Sequence, residues 1–375
     1  MAEKMKLGVL TGGGDCPGLN AVIRAVVKTA INDYDMEVVG FFDGYQGLIE
    51  NRYRALKAVD VSGILTLGGT ILGTSNRADP FNFPVLQGDE YIYLDRSSQA
   101  LQNFERLGLD ALIAIGGDGT MAASHGMAEK GMKIIGVPKT IDNDLWGTDQ
   151  TFGFDSALAS ATEAIDKIHS TAQSHHRVMI IEVMGRYAGW LALASGIAGG
   201  GDIILIPEIP YQVDVICDKI KTRNRRGKNF SIVVIGEGAM PEGGEMVVKR
   251  IVETSPDKLR LGGISNQLAG QIEGVTTLET RVTILGHLLR GGTPTAFDRI
   301  LATQFGVRAV ELANEGKFGE MVALKGNEIE HIPISEVAGK TRKVQLDSPL
   351  LKTALSLDTS LGVEGLEMLK PEVAV

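Results

Sequence analysis

The chain has 375 residues and carries 37 Lys and Arg against 46 Asp and Glu, a net charge of −9. The length leaves room for two or three domains of about 150 residues, and the acidic balance argues against a general nucleic-acid binder while permitting a local basic pocket for a small phosphorylated ligand. Two cysteines outside any CxxC pair point to a reduced, cytoplasmic protein, and the most apolar stretch, Trp190 to Gly201, falls short of the ~20 residues a membrane span needs.

Short Val/Ile/Leu runs recur along the chain: Leu7–Leu10, Val38–Phe42, Ala111–Ile115, Ile134–Val137, Val178–Val183, Ile203–Ile206, Ile232–Ile235 and Val282–Leu285. Runs of this length suit strands buried on both faces. Helical patterns lie between them, at Asn20–Ile31, Ser156–Ser170 and Ala296–Ala313. The alternation predicts an α/β protein with mostly parallel sheets. Long loops are expected near Asp142–Gly153 and Ala239–Gly263.

The first motif, Thr11 to Asn20, reads T-G-G-G-D-C-P-G-L-N and joins the first strand to the first helix. Glycines there let backbone N–H groups approach a phosphate at a helix N-terminus. The motif is not a dinucleotide fingerprint, because Pro17 stands where a glycine is required. A tight structural turn and a phosphate cradle are equally compatible with it.

Gly116 to Thr120, G-G-D-G-T, ends the Ala111–Ile115 run, and ligands of open α/β sheets bind at such strand ends. Asp118 is the candidate carboxylate for Mg2+, a hard cation that takes oxygen ligands. One strand later, Pro138 to Asp144 reads P-K-T-I-D-N-D. Two carboxylates two residues apart suit a general base and a supporting charge, and an Asx-rich turn is the bland alternative. Later basic segments, at Arg177, Met184–Arg186, Arg281 and Gly286–Gly292, would clamp a phosphate monoester if they converged. Glu237, in G-E-G, is a candidate acceptor for sugar hydroxyls. Gly339-Lys340-Thr341 is no P-loop, since the first required glycine falls on Ile334. The basic stretch Lys219 to Lys228 reads as a solvated helix end, ahead of an anionic effector site and nucleic acid.

These residues closely resemble the 6-phosphofructokinase family. The motifs carrying the resemblance are LTGGGDCPGLNAVIR, GGDGT, PKTIDND, GTDQTFGFDSA, EVMGRYAG, GEGAMP and LGHLLRGGTPTAFDR, in family order over roughly residues 6 to 325. The resemblance implies two Rossmann-like α/β domains: residues 1–153 plus about 289–340 for the phosphoryl donor, and 154–288 plus about 341–375 for the sugar phosphate. It implies transfer of the γ-phosphoryl of ATP to the C1 hydroxyl of fructose 6-phosphate, with Mg2+ as cofactor; a pyrophosphate-dependent enzyme is the near alternative.

The resemblance also assigns roles. Asp142 matches the general base, Thr140 a ligand of the transferred group, Asp118 the Mg2+ carboxylate and Asp144 a supporting carboxylate. Arg186 matches the residue that offsets charge on the phosphoryl group. Ile141, Met184, Gly185 and Glu237 match sugar-site positions, and His287 and Arg290 the 6-phosphate clamp. Arg177 and Arg281 match arginines that enter a neighbouring subunit's sugar site, implying a homodimer or homotetramer. Gly14, Gly117, Asp118, Gly119 and Thr120 match the nucleotide site. Arg77 falls one position beyond the usual donor-phosphate arginine, where Asn76 stands. Arg24, Arg226 and Lys228 match parts of the bacterial effector site. Pyrophosphate users of the family typically pair Asp at position 119 with Lys at 139, whereas this chain pairs Gly119 with Lys139. Gly119 leaves space for the nucleotide α-phosphate, so ATP is the expected donor.

Overall fold

The computed structural model describes residues 4–88, 90–251 and 259–366. The chain runs β1 (Lys6–Thr11), α1 (Leu19–Tyr34), β2 (Glu37–Phe41), α2 (Tyr45–Glu50), β3 (Tyr53–Leu56), β4 (Phe83–Gln87), β5 (Glu90–Leu94), α3 (Ser97–Arg106), β6 (Ala111–Gly116), α4 (Asp118–Glu129), β7 (Ile134–Thr140) and β8 (Phe152–Gly153). It continues through α5 (Phe154–His175), β9 (Val178–Val183), α6 (Trp190–Ala198), β10 (Ile203–Leu205), α7 (Val213–Arg225), β11 (Ser231–Gly236), β12 (Val248–Ile251), β13 (Leu259–Leu261), α8 (Ile264–Thr276) and β14 (Thr280–Ile284). A 3-10 turn at Gly286–Arg290 leads into α9 (Ala296–Asn314), β15 (Glu320–Lys325), β16 (Glu328–Pro333), α10 (Ile334–Val337) and α11 (Pro349–Ser356). Part of the loop expected at 239–263 lies outside the described residues.

Every apolar run singled out in the sequence forms a strand, and the three helical patterns form α1, α5 and α9. One boundary matters. The run beginning at Val282 extends back to Thr280, which places Arg281 inside β14 rather than before it.

The strands form two main sheets and two antiparallel two-stranded ribbons, β4–β5 and β12–β13, the latter within the stretch expected to be a loop. The larger has the order β16-β15-β7-β6-β1-β2-β3, with β8 beside β7, and is parallel except at its two edge pairs. The smaller has the order β10-β11-β9-β14 and is parallel throughout. Central strands β1, β6, β7, β9 and β11 are almost wholly buried, which is why they read as unbroken apolar runs. In the larger sheet the chain winds outward from β1 on one side and from β6 on the other. This reversal opens a crevice at their carboxyl ends. In the smaller sheet β9 lies between β11 and β14, and its carboxyl end carries residues 184–186.

Two contacts join the layers. α9 packs on α1 at Gly306, where an added Cβ would stand 2.7 Å from the Ala25 Cβ and 2.9 Å from the Val22 carbonyl oxygen. Only glycine allows that approach. From the first turn of α9, buried Asp298 accepts hydrogen bonds from the Ser156 N–H at 2.8 Å and hydroxyl at 2.6 Å. The carboxylate thus caps the start of α5, where free N–H groups favour an anion.

Candidate active site

After β1 the chain turns at once. The Gly12 N–H donates to the Ile115 carbonyl at 2.8 Å and the Gly13 N–H to the Ser75 carbonyl at 3.0 Å. The Thr74 hydroxyl donates to the Gly13 carbonyl at 2.6 Å, and the Thr11 hydroxyl to the Gly73 carbonyl at 2.7 Å. Gly12 and Gly13 therefore use their N–H groups to build the turn, leaving a phosphate to engage from Gly14 onward. Thr120 is buried beneath it, and a Cβ on Gly12 would lie 2.6 Å from the Thr120 Oγ1. Its side chain packs the two glycine turns together. Arg77 is exposed two residues beyond Ser75, its N–H donating to the Ser75 Oγ at 3.2 Å.

Gly117 is extended and leads into α4, whose first residue is Asp118. The Gly339 N–H donates to the Asp118 Oδ1 at 3.3 Å, and partial desolvation raises its pKa. Gly119 faces open space, since a Cβ there meets nothing within 4 Å. Among the described residues no group of three or more His, Cys, Asp or Glu side chains converges as a metal cage. One carboxylate in a cleft that admits phosphates is the donor set Mg2+ accepts, because that ion keeps several water or phosphate ligands.

At the end of β7 the chain places Lys139, Thr140, Asp142 and Asp144. Lys139 is buried, and its ammonium donates to the Gly14 carbonyl. Burial drives its pKa down. The Asp142 N–H donates to the Thr140 Oγ1 at 3.1 Å, while the Asp142 Oδ1 has no hydrogen-bond partner. Burial raises the Asp142 pKa, opposed by Arg290, Arg186 and Lys139. Asp144 is pushed up to about 7, first by burial and then by the Asp142 charge. Asn143 between them has φ 52°, and its Oδ1 accepts the Thr151 N–H at 3.1 Å. Ile141 is fully buried in the core, so its side chain packs and only its backbone faces the turn.

The smaller sheet supplies the facing wall. Gly185 adopts φ 135°, which turns the chain from Met184 to Arg186. The Arg186 guanidinium lies 5.7 Å from the Tyr187 ring centroid. Glu237 follows β11 and is pushed up to about 7 by burial and by Asp142, against the pull of Arg186 and Arg290. His287 is exposed on the 3-10 turn. Arg290 leaves the same turn, and its Nη1 donates to the Asp15 carbonyl at 3.1 Å. Arg290 thereby reaches the glycine loop of the larger sheet. The structure brings together Gly14, Lys139, Asp142, Arg186, Glu237 and Arg290 from both sheets.

Two residues do not join them. Arg177 directly precedes β9, and Arg281 pairs with Met179 near its start. Both lie at the amino ends of their strands, roughly 16–30 Å along the sheet from residues 184–186 at ~3.3 Å per residue. Convergence of all the basic segments on one pocket within the chain is therefore corrected. Arg177 Nε bonds Glu279 Oε2 at 2.7 Å, and Arg281 bonds the other oxygen of Glu279.

Sequence reasoning missed Trp190, Glu208 and Arg342. The Trp190 indole N–H donates to the Arg342 carbonyl at 2.8 Å, across 152 positions of chain. No spacing rule links residues so far apart, and a lone Trp at a helix start carries no local signal.

The raised carboxyls set a pH dependence. Glu237 and Asp144 hold protons up to about pH 7 when folded and release them near pH 4 when unfolded. The folded state binds more protons across that window, so stability falls as pH rises from about 4 to 7 and then levels off. Thermal melts of the ligand-free chain are expected to show this decline, with a shallower slope in Glu237→Gln. A slope identical to that of the unmodified chain would remove Glu237 from the explanation.

The phosphofructokinase family model matches residues 6–313. The chain is 52% identical to "ATP-dependent 6-phosphofructokinase 2" of Clostridium perfringens over 95% of its length and 98% of that protein. It is 49% identical to the "Pyrophosphate--fructose 6-phosphate 1-phosphotransferase" of Streptomyces coelicolor, over 91% of the chain and 96% of that protein. The crystal structure of Pichia pastoris phosphofructokinase in the T-state matches with a TM-score of 0.77 and 31% identity, over 99% of this chain and 38% of that longer one.

Proposed function

Because the chain belongs to the phosphofructokinase family, we propose how its residues transfer the γ-phosphoryl of ATP to the C1 hydroxyl of fructose 6-phosphate. The products are fructose 1,6-bisphosphate and ADP. The observation that carries the residue assignment is the meeting of Asp142 with Arg186, Arg290 and Glu237 between the carboxyl ends of two sheets. Phosphoryl transfer needs positioning and charge neutralisation more than covalent chemistry. Asp142 takes the C1 hydroxyl proton through the oxygen that has no protein partner. Arg290, Arg186 and Lys139 oppose the desolvation that raises its pKa and so favour the ionised form a base needs. Thr140 and Arg186 hold the transferred group, and Arg186 offsets the charge that develops on it.

The sugar phosphate lies against Met184, Gly185 and Glu237, with the backbone at Ile141 beneath it. His287 and Arg290 hold its 6-phosphate. ATP lies across Gly14, Gly117, Gly119 and the backbone at Thr120, with Arg77 on its phosphates. Asp118 would hold Mg2+, which would supply positive charge to neutralise the donor phosphates. These assignments divide the chain into a donor domain, 1–153 plus about 289–340, and a sugar domain, 154–288 plus about 341–375. Residues 1–3, 89, 252–258 and 367–375 of that division lie outside the described residues. No helix among the described residues is long and apolar enough to cross a membrane, and we place the enzyme in the cytoplasm.

A coupled assay tests this reading. Purified chain, Mg2+ and fructose 6-phosphate are given ATP or pyrophosphate, and fructose 1,6-bisphosphate is followed. Production with ATP is expected, and none with either donor overturns the reading.

Assembly is part of the proposal. Arg177 and Arg281 are too far from the pocket of their own chain and are set to enter that of a second copy, in a homodimer or homotetramer. Ile284 at the carboxyl end of β14, with Leu288, Phe297 and Ile300 beyond it, adds exposed apolar surface that a second copy would bury. Mixing inactive Asp142→Ser chains with inactive Arg281→Ala chains should restore part of the activity, because a hybrid holds one intact shared site. Full activity in a proven monomer rules out the shared site.

A further inference from the structure

Residues 341–344 cross from one catalytic loop to the other. On the side of the larger sheet, Thr341 bridges to Leu145. The Arg342 N–H donates to the Asp144 carbonyl at 2.7 Å, and Arg342 Nη1 to the Asn143 carbonyl at 3.3 Å. On the side of the smaller sheet, the Arg342 guanidinium lies 4.4 Å from the Trp190 ring centroid, and its carbonyl takes the indole N–H. The Val344 N–H donates to Glu208 Oε1 at 2.8 Å, and the same carboxylate takes the Gly189 N–H at 3.0 Å. The turn held at one end carries Asp142. The loop held at the other leads back through Tyr187 to Arg186.

The turn needs such a hold. Burial and the Asp142 charge disfavour ionisation of Asp144, and Asn143 between them is in the left-handed region. A second charge forming on so short a turn would favour splaying. Arg342 opposes this by anchoring two consecutive carbonyls. Its planar guanidinium stacks on an indole fixed at the start of α6, which limits the freedom lost in making the bond.

We propose that Arg342, stacked on Trp190, is a positioning residue that sets the spacing between Asp142 and Arg186. The proposal rests on the assignment of those two residues given above. A displacement of about 1 Å at a reacting centre costs on the order of 10²-fold in rate, so the effect should fall on kcat rather than on substrate binding.

The test compares the full chain with Arg342→Ala and Arg342→Lys. Steady-state kinetics are measured together with hydrogen exchange of residues 141–146 in the ligand-free protein. Arg342→Ala is expected to lower kcat by about 30- to 100-fold, to change KM for fructose 6-phosphate by less than about 3-fold and to speed exchange in the turn. Arg342→Lys keeps the cation without the planar stack and should recover part of kcat. A kcat within about 2-fold of the parent overturns the proposal, as does a loss of kcat with unchanged exchange. If Arg342→Ala does not fold, Trp190→Phe keeps a ring and removes only the indole N–H. That variant should lose roughly 3- to 10-fold in kcat, and an unchanged kcat overturns the brace. Exchange needs no substrate, so unchanged exchange refutes the brace even in a chain inactive with ATP, an outcome that separately refutes the functional reading.

Discussion

Replacing Asp142 with serine lowers kcat by about 10² to 10⁴, while KM for fructose 6-phosphate stays within a few-fold of the parent. In the proposed mechanism the carboxylate takes the C1 hydroxyl proton, which serine cannot do. Its removal does little to the fold, since the Asp142 Oδ1 holds no hydrogen bond and the Asp142 N–H to Thr140 survives. Arg186 and Arg290 lose an anionic neighbour, which can only strengthen their hold on a phosphate. The variant also relieves Asp144, whose pKa is raised partly by the Asp142 charge. Stopped-flow or coupled assays at saturating substrates decide the point. An unchanged kcat would sink the assignment of Asp142 as base.

Gly119→Asp should lower kcat/KM for ATP by about 10³-fold or more while leaving thermal stability nearly unchanged. The fold tolerates the change because a Cβ at Gly119 meets nothing within 4 Å and the residue has no left-handed φ. The new side chain instead enters open space next to Asp118. In the proposed mechanism that space belongs to the nucleotide, and the added carboxylate would repel the triphosphate. Lys139, already buried against Gly14, offers a cation to a smaller donor. The variant is therefore the form in which pyrophosphate activity would first emerge. The comparison matters because relatives of nearly equal identity carry ATP-dependent and pyrophosphate-dependent names. If the unmodified chain prefers pyrophosphate by kcat/KM, Lys139 was the better guide to the donor.

Much of the fold was written locally. Buried parallel strands must be apolar on both faces, so Leu7–Leu10, Ala111–Ile115 and Val178–Val183 announce themselves without any partner. Glycine turns at strand ends were equally plain, and so was the run Thr140 to Asp144, because a single turn of chain places all its carboxylates. What lay beyond reach were relations across the chain. Whether the Thr11–Asn20 loop was a turn or a cradle depended on Ser75 and Ile115, which take two of its N–H groups. Thr120 and Ile141 carry the right letters in the right motif, yet burial assigns their side chains to packing. Arg177 and Arg281 looked like members of one basic pocket until the start points of β9 and β14 set them at the far end of the sheet.

The sequence by itself determined the alternation of strands and helices and the mostly parallel character of the sheets, and it offered the candidate residues for phosphoryl chemistry, because each depends on neighbours within a few positions. Only the tertiary structure decided which of them meet. Arg290 reaches Asp15 across 275 positions and Arg342 reaches Asn143 across 199. Such pairs are selected by the packing of two sheets against each other, and no local propensity encodes the distance between them.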